Sequence, residues 1–149
     1  MKPTPQGWPR LSASVYYDDP RAAIEWLCKA FGFEKRLVVE GDGGTIVHSE
    51  LTFGEGLFMV GGTGTNAKRQ ELSAIYSSPK SISGKITGAL AFFVDDCDAH
   101  HEIAVANGAK IVREPTTNDY GDDYWTDRSY GALDLEGHLW WFMQRIQGG

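Results

Sequence analysis

Cysteine, positive charge and long apolar runs are all scarce in this chain of 149 residues. Each shortage excludes something. Two cysteines, Cys28 and Cys97, cannot build a disulfide framework or a thiolate metal cage, and free thiols in reducing, cytoplasmic surroundings are the expectation. Fourteen basic residues against twenty acidic ones give a net charge of −6, so neither nucleic acid nor an anionic membrane surface suits it as a partner. No run approaches the roughly 18 apolar residues of a spanning helix. Met1 to Pro9 carries three prolines and no apolar core of signal length, so secretion is not expected. What remains is a soluble globular composition, 42% apolar and 23% charged, of one domain's size.

Within that length the pattern occurs twice. Asp18-Asp19-Pro20 opens an amphipathic segment closed by Phe31-Gly32-Phe33, and Asp95-Asp96 opens another closed by Asn107-Gly108-Ala109. Each is preceded by a strand-like run and followed by three more, with a Gly-Asp stretch in each half (Gly41-Asp42, Gly121-Asp122). Asp19 is placed to cap the first helix with Pro20 at its first position, and Gly32 to stop it. Ile24, Leu27, Cys28 and Phe31 give its apolar stripe; Ala99, Ile103 and Ala106 are expected to give that of the second helix. Strands are expected over Arg10–Tyr17, Glu34–Glu40, Thr45–Phe53, Leu57–Gly61, Ala89–Val94, Lys110–Arg113, Asp127–Leu133 and His138–Met143. The organisation is therefore an N-terminal tail (1–9), a βαβββ module (10–62), a linker or lid (63–87) and a second βαβββ module (88–149). The linker is rich in Ser, Gly and Thr and carries Lys68, Arg69, Lys80 and Lys85. So long a connection joins half-domains, covers a site, or does both.

The strand–Asp-Asp-Pro–helix–Phe-Gly-Phe opening and the closing run Asp127 to Trp140, with its Asp134-Leu135-Glu136-Gly137 turn, resemble the vicinal oxygen chelate superfamily of glyoxalases, bleomycin-resistance proteins and dioxygenases. The resemblance covers roughly residues 10 to 145. It implies an α+β fold in which two paired βαβββ modules form an incomplete barrel around a concave pocket, a homodimer, and a small organic molecule as partner. It also implies a divalent metal in many members. Carried over, the four ligand positions fall on Ser12, Met59, Ala89 and Trp141, supported by the repeat at offsets of 77 and 82. None of these side chains suits a divalent ion, so no cofactor is expected, with a divalent metal as the alternative.

Strand alternation sets what faces inward instead. Ser12, Ser14, Tyr16, Met59, Phe93 and Trp141 line the expected pocket; Val15, Phe58, Val60, Phe92, Trp140 and Phe142 lie under the helices. His48 and Glu50 share a strand face and are candidate acid and base, or a polar edge. Arg128 and Tyr130 share another, suited to an anionic group or to an ion pair with Asp127 or Asp134; the repeat sets Tyr130 opposite His48 at an offset of 82. Asp119, Asp122, Asp123 and Asp127 surround Tyr120, Tyr124 and Trp125, a setting for a cationic ligand or a solvated turn. His138 reads as a turn or rim residue, and His100 and His101 as a solvated helix face. The leading expectation is a receptor holding a hydrophobic or cationic molecule in a metal-free pocket, as in antibiotic or toxin sequestration. The alternative is a lyase, isomerase or dioxygenase working through a metal or through His48 and Glu50.

Overall fold

The computed structural model describes residues 1–64 and 70–148, so Lys68 and Arg69 lie outside the described residues. The first module runs β1 (Ala13–Tyr17), α1 (Pro20–Phe31), β2 (Glu34–Glu40), β3 (Ile46–Phe53) and β4 (Gly56–Gly62). A single helical turn, α2 (Gln70–Ser73), follows. The second module runs β5 (Ala89–Phe93), α3 (Cys97–Ala106), β6 (Lys110–Asp119), β7 (Thr126–Leu133) and β8 (Leu139–Gln147). Each module makes a four-stranded mixed sheet, ordered β1-β4-β3-β2 and β5-β8-β7-β6, and neither closes into a barrel. The first strand of each runs parallel to the last, and the other pairs are antiparallel. The fold is α+β.

Local chemistry explains the helices. The Asp19 carboxylate accepts from Ala22 N at 3.0 Å, Pro20 takes the first turn, and Gly32 turns left-handed at φ 72°. Asp96 caps α3 the same way, through Ala99 N at 3.0 Å. The α3 stripe differs from the sequence expectation: Cys97 and Ala104 are buried, His100 and His101 sit between them half-buried, and Ile103 is 53% exposed. The sequence rule ranks Ile above His for burial, but here tertiary hydrogen bonds make a histidine the better fit.

β1 is shorter than the expected Arg10–Tyr17, leaving Leu11 exposed ahead of it. β6 is longer than Lys110–Arg113. Pro115 is tolerated there because β6 is an edge strand whose register slips between Arg113 and Thr116.

The helix-facing sides of the two sheets share one core. Phe58 and Trp140 (centroids 5.3 Å apart), Phe33 and Trp140 (5.3 Å), and Phe31 and Phe142 (4.8 Å) bridge the modules with tilted and edge-on rings. The turn before β8 locks them further. Asp134 Oδ2 accepts from Tyr17 Oη at 2.6 Å and from Trp140 Nε1 at 2.9 Å, while Oδ1 accepts three backbone N–H groups of its own turn. Glu136 reaches the other module and accepts from the N–H groups of Asp18 and Asp19 (2.8 and 2.9 Å). His138 Nε2 donates to Tyr16 O at 2.8 Å, so this histidine ties the turn to β1. Because the helical faces meet each other, the opposite face of each sheet is left open.

Candidate functional site

The open face of the first sheet carries a cavity of about 720 Å³. β1 supplies Ser14 and Tyr16, β4 supplies Met59 directly across from Ser14, and β3 supplies His48. Asp18, Asp19 and Asp42 also line it, and Tyr76 arrives from the linker. No described residue of the second module lines it. Of the residues expected to share one pocket, within a chain or across two, Met59 lines this cavity, while Trp141 sits half-buried on the second sheet against Gly131. A second, smaller cavity of about 340 Å³ runs along the seam between β1 and β5, past Ala89 and Leu139. Ser12 is half-buried just ahead of β1.

Beside the main cavity lies a hydrogen-bonded trio. His48 Nε2 and Glu50 Oε1 are 2.9 Å apart, and Arg36 donates to Glu50 Oε2 at 2.6 Å. Glu50 is 6% exposed and does not line the cavity. Nδ1 of His48 has no hydrogen-bond partner among the described residues. Sequence alternation missed Arg36 because the β2 register slips there, between Lys35 and Leu37. Trp8 from the N-terminal tail stacks on the same guanidinium, 5.6 Å from it.

Two candidates line neither of these cavities. Arg128 makes a two-pronged bond to Asp98 (2.7 and 2.6 Å), not to the expected Asp127 or Asp134. Tyr130 is fully buried under α3, where His100 Nδ1 meets its hydroxyl at 2.7 Å and His100 Nε2 meets Phe31 O at 3.1 Å. A carbonyl can only accept, so Nε2 carries the proton and Nδ1 accepts from Tyr130. Burial lowers the His100 pKa, with the Phe31 bond opposing it, and raises that of Tyr130. The expected solvated face of α3 is therefore corrected at His100. Tyr130 was also mispaired with His48. Thr52 faces Leu57 and Leu133 faces Leu139, so the second turn is one residue longer and Tyr130 corresponds to Ser49.

On the second sheet Phe93 is 55% and Trp125 39% exposed, with the Arg145 guanidinium 5.4 Å from the first ring and 4.9 Å from the second. Arg145 is itself paired with Asp127. Tyr120 and Trp125 close the acidic loop as a hairpin, Tyr120 N donating to Trp125 O at 3.0 Å.

The donor chemistry does not fit a divalent ion. The four carried-over positions offer a hydroxyl, a thioether, a methyl and an indole. Among the described residues no three His, Cys, Asp or Glu side chains converge. Cys97 is buried and its thiol pKa is pushed up to about 11, so it stays protonated.

Comparison with known proteins agrees with this architecture. A family model described as the Glyoxalase/Bleomycin resistance protein/Dioxygenase superfamily matches residues 11–142. The crystal structure of TioX from Micromonospora sp. ML1 is similar at 30% identity, covering 95% of this chain and 99% of that one, with a TM-score of 0.67. UcmS2 is similar at 18% identity (94% and 99% covered, TM-score 0.66). A family enzyme from Burkholderia phytofirmans PsJN is similar at 17% (91% and 97%, TM-score 0.63), and these last two speak for the fold alone. No curated protein matches the sequence.

Proposed function

Since the chain belongs to the glyoxalase/bleomycin resistance protein/dioxygenase superfamily, we propose that it is a metal-free receptor for a small hydrophobic or cationic organic molecule, as in antibiotic or toxin sequestration. The observation that carries this reading is the cavity on the first sheet. Its volume of about 720 Å³ lies in the range of drug-sized ligand sites. Tyr16 and Met59 offer stacking and soft apolar contact, Ser14 and His48 offer hydrogen bonds, and Asp18, Asp19 and Asp42 favour a positive charge.

The receptor is a homodimer in this proposal. Each chain leaves two faces open, the cavity side of the first sheet and the Phe93–Trp125 side of the second. A two-fold pairing lays the second face of one copy over the first face of its partner, and covers all four at once. In that arrangement Phe93, Trp125 and Trp141 become the far wall of the ligand site, which recovers their expected role. The two unpaired thiols fit a reducing, cytoplasmic setting, and no described helix is long and apolar enough to cross a membrane.

A second reading is favoured by one specific contact. His48, held by Glu50, has the geometry of an oriented acid/base, and would make the protein an enzyme of the same superfamily. Melting of the purified protein against planar organic cations, together with metal analysis and sizing chromatography, separates the readings. The receptor predicts stabilisation by at least one such cation, metal well below stoichiometric, and a mass near twice 16.4 kDa. Stoichiometric metal, or a 16.4 kDa species at high micromolar concentration, would overturn it.

A further inference from the structure

The linker does more than join the modules. It sets a tyrosine ring where the receptor would hold a ligand. Tyr76 stacks on Tyr16 with centroids 3.8 Å apart and planes 12° from parallel, the closest ring pair of the two cavities. Among the described residues, only Ser14, Tyr16 and Tyr76 line both cavities, so this stack stands between them.

Among the described residues, hydrogen bonds hold the chain before and after Tyr76, and its ring is held by the stack on Tyr16. Asp18 Oδ1 accepts from Thr63 Oγ1 at 3.0 Å and from Ser78 Oγ at 2.8 Å, so one carboxylate holds the chain just after β4 and again two residues beyond Tyr76. Ser78 is fully buried and its Oγ also accepts from Ser81 N. Thr63 N donates to Tyr17 O at 2.9 Å. Asp18 is in turn fixed by the Glu136 carboxylate at its backbone N–H. With the chain held on both sides, the Tyr76 ring can leave Tyr16 by rotation about its own side chain and neighbouring backbone, and the loop need not detach.

We propose that Tyr76 is a built-in placeholder for the ligand's aromatic ring, and that the ligand class is a planar aromatic cation bearing an apolar arm. The inference rests on the receptor reading and specifies its ligand. The ligand ring takes the place of Tyr76 on the face of Tyr16, within reach of Asp18 and Asp19. Removing the stack joins the two cavities, and the arm then follows the seam, whose walls are Ile75, Ile82, Ile86, Leu90 and Leu139. Binding in the intact protein must first break the Tyr16–Tyr76 pair, so the self-contact weakens affinity and rejects molecules without a ring.

Fluorescence titration with proflavine, a planar tricyclic cation, tests this on the full-length protein and three variants. Tyr76→Leu removes the competitor and is expected to tighten binding roughly 2- to 10-fold, the span of a single aromatic pair. Tyr76→Phe keeps the stack and stays within about twofold of the parent, and Tyr16→Leu loses at least about fivefold, as a base–aromatic contact does. Appending a hexyl chain to the dye should tighten binding to Tyr76→Leu more than to the parent. If Tyr76→Leu weakens proflavine as Tyr16→Leu does, Tyr76 is the second jaw of a sandwich; the placeholder fails and the receptor stands. An unchanged Tyr76→Leu likewise removes the placeholder alone. If proflavine saturates neither the parent nor Tyr76→Leu, or if Tyr16→Leu binds as the parent does, the receptor reading itself falls.

Discussion

Replacing Asp134 by Ala should loosen the joint between the two modules more than any other single polar change. The carboxylate is 6% exposed and serves five donors: Tyr17 Oη, Trp140 Nε1 and the N–H groups of Glu136, Gly137 and His138. The three backbone groups lie in a turn and can find water. Tyr17 and Trp140 are fully buried, so their O–H and N–H are left without partners. At about 1–3 kcal/mol for each orphaned buried donor, the loss is roughly 2–6 kcal/mol. That is a large part of the 5–15 kcal/mol typical of a whole domain. For a chain of this size it corresponds to a fall in Tm of about 10 °C. Asp134→Asn should lose less, about 1–3 kcal/mol, because its oxygen can keep the turn while its amide meets the indole N–H donor to donor. Tyr17→Phe removes donor and demand together and should cost only about 1 kcal/mol. Urea denaturation at constant m measures the series, and a double-mutant cycle of Tyr17→Phe with Asp134→Ala should give a coupling of about 1 kcal/mol or more. A loss below about 1 kcal/mol for Asp134→Ala, or no coupling, would refute the view of this carboxylate as the inter-module joint.

Other outcomes follow from the same geometry. His100 is held neutral, its pKa lowered by burial against α1, β7 and β8, with the Tyr130 hydroxyl, the Phe31 carbonyl and the Phe142 ring around it. The unfolded chain therefore takes up the proton first: stability is full above the unfolded value, near pH 6.5, and declines as the pH falls below it. Urea midpoints at pH 7.5 and pH 5.0 should separate for the parent and converge for His100→Asn; equal separations would contradict the assignment. Arg128→Ala breaks a pair between partly exposed groups, and should cost no more than about 1 kcal/mol. It should leave proflavine affinity unchanged, and a tenfold loss would return Arg128 to the ligand site.

The doubled pattern, the capped helices and most strands were legible because they depend on local rules. Asp19-Pro20 and Gly32 define α1 wherever it packs, and the apolar alternation of β4, β5 and β8 marks which side lies under a helix. Legibility failed where a neighbour distant in sequence decided the outcome. The buried stripe of α3 turned toward His100 and His101 because Tyr130 and Phe31 could satisfy His100. Arg36 joined His48 and Glu50 through a slip in register that no periodicity announces. Tyr76 was the linker's lone aromatic, a signal that was present but carried no direction.

By itself the amino-acid sequence determined the α+β class and the twofold repeat, since both are a matter of residue type and spacing along the chain. The tertiary structure alone decided which faces met. It joined the modules through their aromatic, helix-covered sides, because burying Phe31, Phe33, Phe58, Trp140 and Phe142 together removes a large apolar surface from water. That choice left the cavity side of the first sheet open, with Tyr76 folded onto Tyr16.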